Sequence, residues 1–105
     1  MEDNFKLEII SPEKIIFSDN TTMVTLPSYE GDMSILKNHI SIITFLRPGI
    51  IKVQKKDGNS EEFFVQDGTL EYFNDSLVVL SATAVNVKDL SKEFVDNLNK
   101  DTQDK

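Results

Sequence analysis

Apolar and polar residues alternate with a period of two through much of the chain. In FKLEII, residues 5–10, Phe5, Leu7 and Ile9 fall on one side and Lys6 and Glu8 on the other, the pattern of a half-buried strand. KIIFS (14–18) and TMVTLP (22–27) predict two further strands, parted by a turn at Asp19, Asn20 and Thr21. SIITFL and IIKVQ flank Arg47, Pro48 and Gly49. There Pro48 presets φ and Gly49 can take φ above zero, as a type II turn requires. Asp57-Gly58-Asn59 predicts a hairpin into EEFFVQ, and turns at Asp67-Gly68 and Asn74-Asp75-Ser76 precede TLEYF and LVVLSATAV. Turn residues recurring about every 8–12 positions between β-branched and aromatic runs predict a mainly β fold, a sandwich or barrel. We count eight to ten strands up to Val87.

The period changes at Lys88. Leu90, Phe94 and Leu98 stand at i, i+4 and i+8, with Val95 beside them, which predicts one short helix with a single apolar stripe. Asp89 is placed to cap it, its carboxylate accepting from free N–H groups of the first turn. So short a helix does not hold alone in water and must dock on something. DTQDK, residues 101–105, has no apolar content and should fray as a disordered tail. The expected organisation is a β domain over residues 1–87 and a truncated helical segment over 88–105.

Composition narrows the function classes. A chain of 105 residues is expected to form one domain with a modest core. The formal net charge of −7 argues against nucleic acid, which needs a basic patch, and against direct adsorption to anionic lipid. With no cysteine there is no disulfide, thiol nucleophile or zinc thiolate. No apolar run reaches the roughly 18–20 residues needed to span a bilayer. The acidic start, MEDNFKLE, lacks the apolar stretch of a secretory signal, so the chain is expected to be soluble and unexported.

The densest candidate chemistry lies in SYEGDMSILKNH, residues 28–39, with Glu30 and Asp32 around Gly31 and the single histidine, His39. In an extended strand Glu30 and Asp32 share a face with carboxylates about 7 Å apart, a spacing compatible with paired-carboxylate hydrolysis. Yet Glu-Gly-Asp is a common solvated turn, and nothing forces these acids into an apolar pocket. One histidine and scattered acids do not make a zinc or calcium set. No nucleophile elbow or Gly-rich phosphate loop is present. No catalytic, metal or nucleotide-binding residue is therefore assigned, and no cofactor is expected. His39 alone suits a capping or partly buried structural role.

The ordered set of motifs is more specific than its parts. Ser11-Pro12-Glu13 ends the first strand, followed by Phe17-Ser18, Glu30-Gly31-Asp32 with Ile35, His39, and Leu46-Arg47-Pro48-Gly49. With VQDGTLEYFNDSLVVLSATA and KDLSKEF, the chain resembles the epsilon subunit of F-type ATP synthases over about residues 5–95. The resemblance implies a roughly ten-stranded β-sandwich followed by a helical region. It further implies a non-catalytic rotor subunit that links gamma to the c ring and couples proton-driven rotation to ATP synthesis. Glu30, Gly31 and Asp32 fall on the loop that in the family meets the c ring, whose loops carry basic groups. Ser11 and His39 fall on positions that lie toward gamma. Transient contacts with alpha and beta, and a peripheral place on the cytoplasmic face of the bacterial inner membrane, are likewise implied.

Ser34 stands where the family commonly has Gly, and Lys37-Asn38 where it has Pro-Gly; Asn38 can still take left-handed geometry. The family's ATP-binding motif has no counterpart in LSKEFV, and the chain stops about one helix in, so neither ATP sensing nor inhibition by an extended helical hairpin is expected. A regulatory protein-binding sandwich and a carboxylate hydrolase are the alternative functions.

Overall fold

The computed structural model describes residues 4–89. They form nine strands: β1 (Phe5–Ile10), β2 (Ile15–Ser28), β3 (Gly31–Leu36), β4 (Ile42–Leu46), β5 (Gly49–Lys55), β6 (Ser60–Val65), β7 (Gly68–Phe73), β8 (Ser76–Leu80) and β9 (Val85–Asn86). All pairings are antiparallel except β1 with β8. One layer runs β4-β7-β8-β1 and ends on the first half of β2; the other runs β3, the second half of β2, β5, β6 and β9. Of the sandwich or barrel that the alternation allowed, the sandwich is the architecture observed.

β2 binds the layers together. Residues 15–21 pair with β1, residues 23–28 pair with β3, and Ser28 reaches Leu46 of β4. The break expected at Asp19, Asn20 and Thr21 is absent: those residues continue the strand opposite Leu7, Lys6 and Phe5. Cross-strand pairing outweighs the turn preference of Asp and Asn, whose side chains stay exposed on the sheet surface. What the sequence marked as a turn is a register shift between Thr21 and Met23 against β5, where the strand passes between layers. Thr21 is fully buried there and its hydroxyl donates to the Phe5 carbonyl at 3.4 Å.

The core is the inward set of this alternation: Phe5, Leu7 and Ile9 face Leu70, Tyr72, Leu77 and Val79 within the first layer, and Val24, Leu26, Ile51, Val53, Phe63 and Val65 close the second. Burial of each such side chain contributes about 1.5–3 kcal/mol.

Two local expectations are corrected. Gly49 does not take a positive φ. It is a glycine of close approach, since a Cβ would lie 2.8 Å from the Pro27 Cβ. The helix begins at residues 87–89, before the expected cap. Its cap is Asn86, whose Oδ1 accepts the Lys88 amide at 2.9 Å, while Asp89 already lies inside the turn. Leu90, Phe94, Val95, Leu98 and the tail lie outside the described residues.

Candidate interaction site

The stretch 28–39 divides between the two ends of β3. At the first end β2 and β3 form a hairpin in which Ser28 pairs with Gly31, leaving Tyr29 and Glu30 as a two-residue turn. Gly31 takes φ 132°, a conformation that a side chain would strain. The Ser28 hydroxyl donates to the Gly31 carbonyl at 2.6 Å and accepts the Glu30 amide at 3.3 Å, so the turn is closed from inside. Tyr29 donates its amide to Phe45 of β4 at 2.9 Å, while its ring is 74% exposed.

Glu30 and Asp32 do not share a strand face, as the extended reading required. Glu30 is at the tip; Asp32 is already in β3, opposite Pro27. Asp32 is also paired: its Oδ1 lies 3.3 Å from the Arg47 guanidinium. The same guanidinium donates from Nε to the Ser28 carbonyl at 2.8 Å, and the Arg47 amide donates to Pro27 at 2.9 Å. The sequence presented Arg47 only as part of a turn motif. Its partner stands fifteen residues earlier, and the one available signal was a cation beside a Pro-Gly corner. Glu30 makes no ion pair among the described residues.

Ser11 sits at the same end. Its hydroxyl donates to the Lys14 carbonyl at 3.1 Å and accepts the Lys14 amide at 3.2 Å, closing the β1–β2 turn. With Ile10, Tyr29, Phe45 and Leu80 it lines an open apolar recess.

His39 lies at the far end of β3, separated from Ser11 along the strands by roughly 15 Å, the length of β7 and β8. Asn38 takes the expected left-handed conformation, φ 69°, and the His39 amide closes the turn onto Leu36 at 3.1 Å. The imidazole stacks edge-on against Tyr72, centroids 5.7 Å apart, and its Nδ1 is 2.7 Å from the Ile40 carbonyl. A carbonyl only accepts, so this nitrogen carries the proton. Asp75 ties the turn down: its Oδ1 accepts from the Tyr72 hydroxyl at 2.7 Å and the Asn38 amide at 3.1 Å, and Lys37 stands 3.6 Å away. The Tyr72 hydroxyl, the Asn38 amide and Lys37 hold the Asp75 carboxyl below its ordinary range. Burial and the neighbouring carboxylate push the Tyr72 phenol up. His39 is thus part of a structural clasp between the β3–β4 and β7–β8 turns.

Between these ends the outer face of β4, β7 and β8 exposes several large apolar side chains. Register places Phe45, Thr69, Leu80 and Ile10 in one row across the layer and Ile43, Glu71, Val78 and Glu8 in the next. Ile43, Phe45, Phe73 and Leu80 are each more than half exposed, and Ile40 before β4 is 79% exposed. Glu71 and Glu8 interrupt the second row, but so many exposed large apolar side chains on one face mark an interaction site.

Among the described residues no three acids or histidines are placed to hold a metal, and no helix is long and apolar enough to cross a membrane. A β-sandwich that presents a clamped hairpin and an apolar sheet face is a binding subunit in design. A family model described as the β-sandwich domain of the ATP synthase delta/epsilon chain matches residues 4–87. An ATP synthase epsilon chain of Pelagibacter ubique is 46% identical over 99 residues, covering 93% of this chain and 75% of that protein. One of Sinorhizobium fredii is 33% identical over 97 residues, covering 92% and 72%. In fold, the chain is similar to one in the Euglena gracilis mitochondrial ATP synthase OSCP/F1/c-ring structure, with a TM-score of 0.82 at 19% identity over 99% of this chain and 64% of that one. A chain of the Tetrahymena thermophila central stalk and c-ring structure gives 0.68 at 14%, over 84% and 70%. The chain belongs to the delta/epsilon family of ATP synthase subunits. The relatives it matches are epsilon chains, and it is a subunit of that type.

Proposed function

We propose that this chain joins gamma to the c ring, coupling proton-driven rotation to ATP synthesis at the cytoplasmic face of a bacterial inner membrane. The observation that carries this reading is the uncovered face formed by Ile43, Phe45, Phe73 and Leu80. A sheet face of this kind needs a permanent partner, and gamma is the partner that family membership supplies. Ser11 borders one end of the face and His39, next to exposed Ile40, the other, so both gamma positions read from the sequence flank one surface. The hairpin bearing Glu30, Gly31 and Asp32 projects at the Ser11 end and is assigned to the polar loops of the c ring, where its charge gives register more than raw affinity. Contacts with alpha and beta are transient as the stalk turns.

Co-purification tests this reading. The chain expressed with gamma and c subunits should elute with both. Ile43→Asp with Phe45→Asp should lose gamma while the isolated variant keeps its fold by circular dichroism, and Glu30→Lys should loosen the c ring alone. A wild-type chain that holds neither partner, in a preparation where gamma and the c ring hold each other, contradicts it.

A further inference from the structure

We infer that Glu61 is the positioning residue of the helix start: its carboxylate orients the Asn86 side-chain amide, and Asn86 caps the first turn in the orientation that Glu61 imposes. The inference concerns the free chain and rests on no partner.

The chain leaves the sandwich by a weak element. β9 is two residues long and pairs with β6 only through Asn86 opposite Phe63 and Val85 opposite Phe64. Strands usually run about 3–10 residues, and main-chain pairing over a shorter length holds direction poorly. Side chains supply what is lacking. Asn86 Nδ2 donates to Glu61 Oε1 at 2.9 Å, and Asn86 Oδ1 accepts the Lys88 amide at 2.9 Å. Both ends of the Asn86 amide are thereby dictated, since a carboxylate only accepts and a backbone N–H only donates.

The carboxylate is held in turn. Lys55 Nζ donates to Glu61 Oε2 at 3.1 Å, and these two side chains are only 20% and 21% exposed. With one oxygen on Lys55, the other is aimed at Asn86. A chain of contacts thus runs from the end of β5 through β6 to the helix, and partial burial strengthens each bond relative to water. The sequence continues from here into Leu90 and Phe94, so what sets the first turn sets the start of the segment that carries them.

The chemistry has a specific consequence. Asn and Asp cap helices about equally well where the cap faces water. At position 86 they are not equivalent, because Asn86→Asp would set a carboxylate oxygen against Glu61 Oε1 with no proton between them.

Hydrogen exchange of the Lys88 amide at neutral pH, with the amides of β7 as the reference, tests this as a double-mutant cycle. Asn86→Asp should speed Lys88 exchange on the order of tenfold while the β7 amides keep their protection, as loss of a cap requires. In the Glu61→Gln background the same substitution should leave Lys88 within about twofold of wild type, since the introduced amide can donate to the introduced carboxylate. Glu61→Ala brings no new charge and should speed Lys88 exchange about threefold, because the cap survives without its orienting bond. Wild-type Lys88 protection in Asn86→Asp overturns the inference, and so does a loss that Glu61→Gln does not reduce. Unchanged Lys88 protection in Glu61→Ala overturns it too, whether or not Asn86→Asp folds.

Discussion

At the residue scale, glycines and one aspartate show how position sets cost. Gly31 and Gly68 both take positive φ, 132° and 146°, but their surroundings differ. A Cβ on Gly31 meets nothing within 4 Å, whereas on Gly68 it would run into the Leu80 carbonyl oxygen and the Ser81 side chain. Gly31→Ala should therefore cost about 1 kcal/mol, from backbone strain alone. Gly68→Ala adds overpacking and should cost about 2–3 kcal/mol more, and urea denaturation of the two variants separates them. Asp75 gives a pH signature. Its folded-state pKa lies below the ordinary value of 3.8, so its contribution is present above that value and is lost as pH falls through the lower, folded one. The wild type should lose stability on acidification below about pH 4 in a component that Asp75→Asn lacks, read from melting temperatures across pH 2–6. Asn38 was legible as a left-handed position because its short amide side chain tolerates φ above zero. The roles of Tyr72, Asp75 and Arg47 were not, because each is defined by a contact that only the tertiary fold creates.

At the scale of elements, alternation predicted well where one face is buried. FKLEII became β1 with Phe5, Leu7 and Ile9 in the core, as read. It failed in two places for opposite reasons. The expected turn at Asp19, Asn20 and Thr21 is mid-strand, because β1 supplies pairing partners that no local preference can reveal. β3 was not read as a separate strand although Met33 and Ile35 alternate with Asp32 and Ser34, since Gly31, Asp32 and Ser34 favour a turn and the pairing with β2 that holds them extended is tertiary. The helix cap moved from Asp89 to Asn86 because β9 ends beside β6 and the chain turns at once. The first half of β2 is held over the second layer by Phe17 against Phe63, ring centroids 5.3 Å apart. Phe63→Ala should cost about 3–5 kcal/mol. The exchange protection of residues 15–19 should fall further than that of β7, which pairs with β4 and β8 and with neither β2 nor β6. Uniform loss across both would mean that β2 is anchored elsewhere.

For the whole molecule, the two layers share one strand, and that single strand carries the hairpin whose far side leads to β4 and the apolar face. The hairpin proposed for the c ring and the face proposed for gamma are thus joined through continuous backbone, an arrangement suited to transmitting torque without yielding. The partners themselves could not be derived from periodicity or charge; those showed only an acidic β protein without assembled chemistry, and the ordered motifs supplied the rest. The chain contains no cysteine, so single reporters can be placed without removing any native thiol. The most direct test is therefore site-specific cross-linking in the assembled synthase, with Glu30→Cys at the hairpin tip and Ile43→Cys on the sheet face. Glu30→Cys should cross-link to a c subunit and Ile43→Cys to gamma, each in enzyme that retains coupled ATP synthesis before the reagent is added. Cross-links to the opposite partners, or to neither in fully assembled enzyme, would contradict the assignment of these two surfaces.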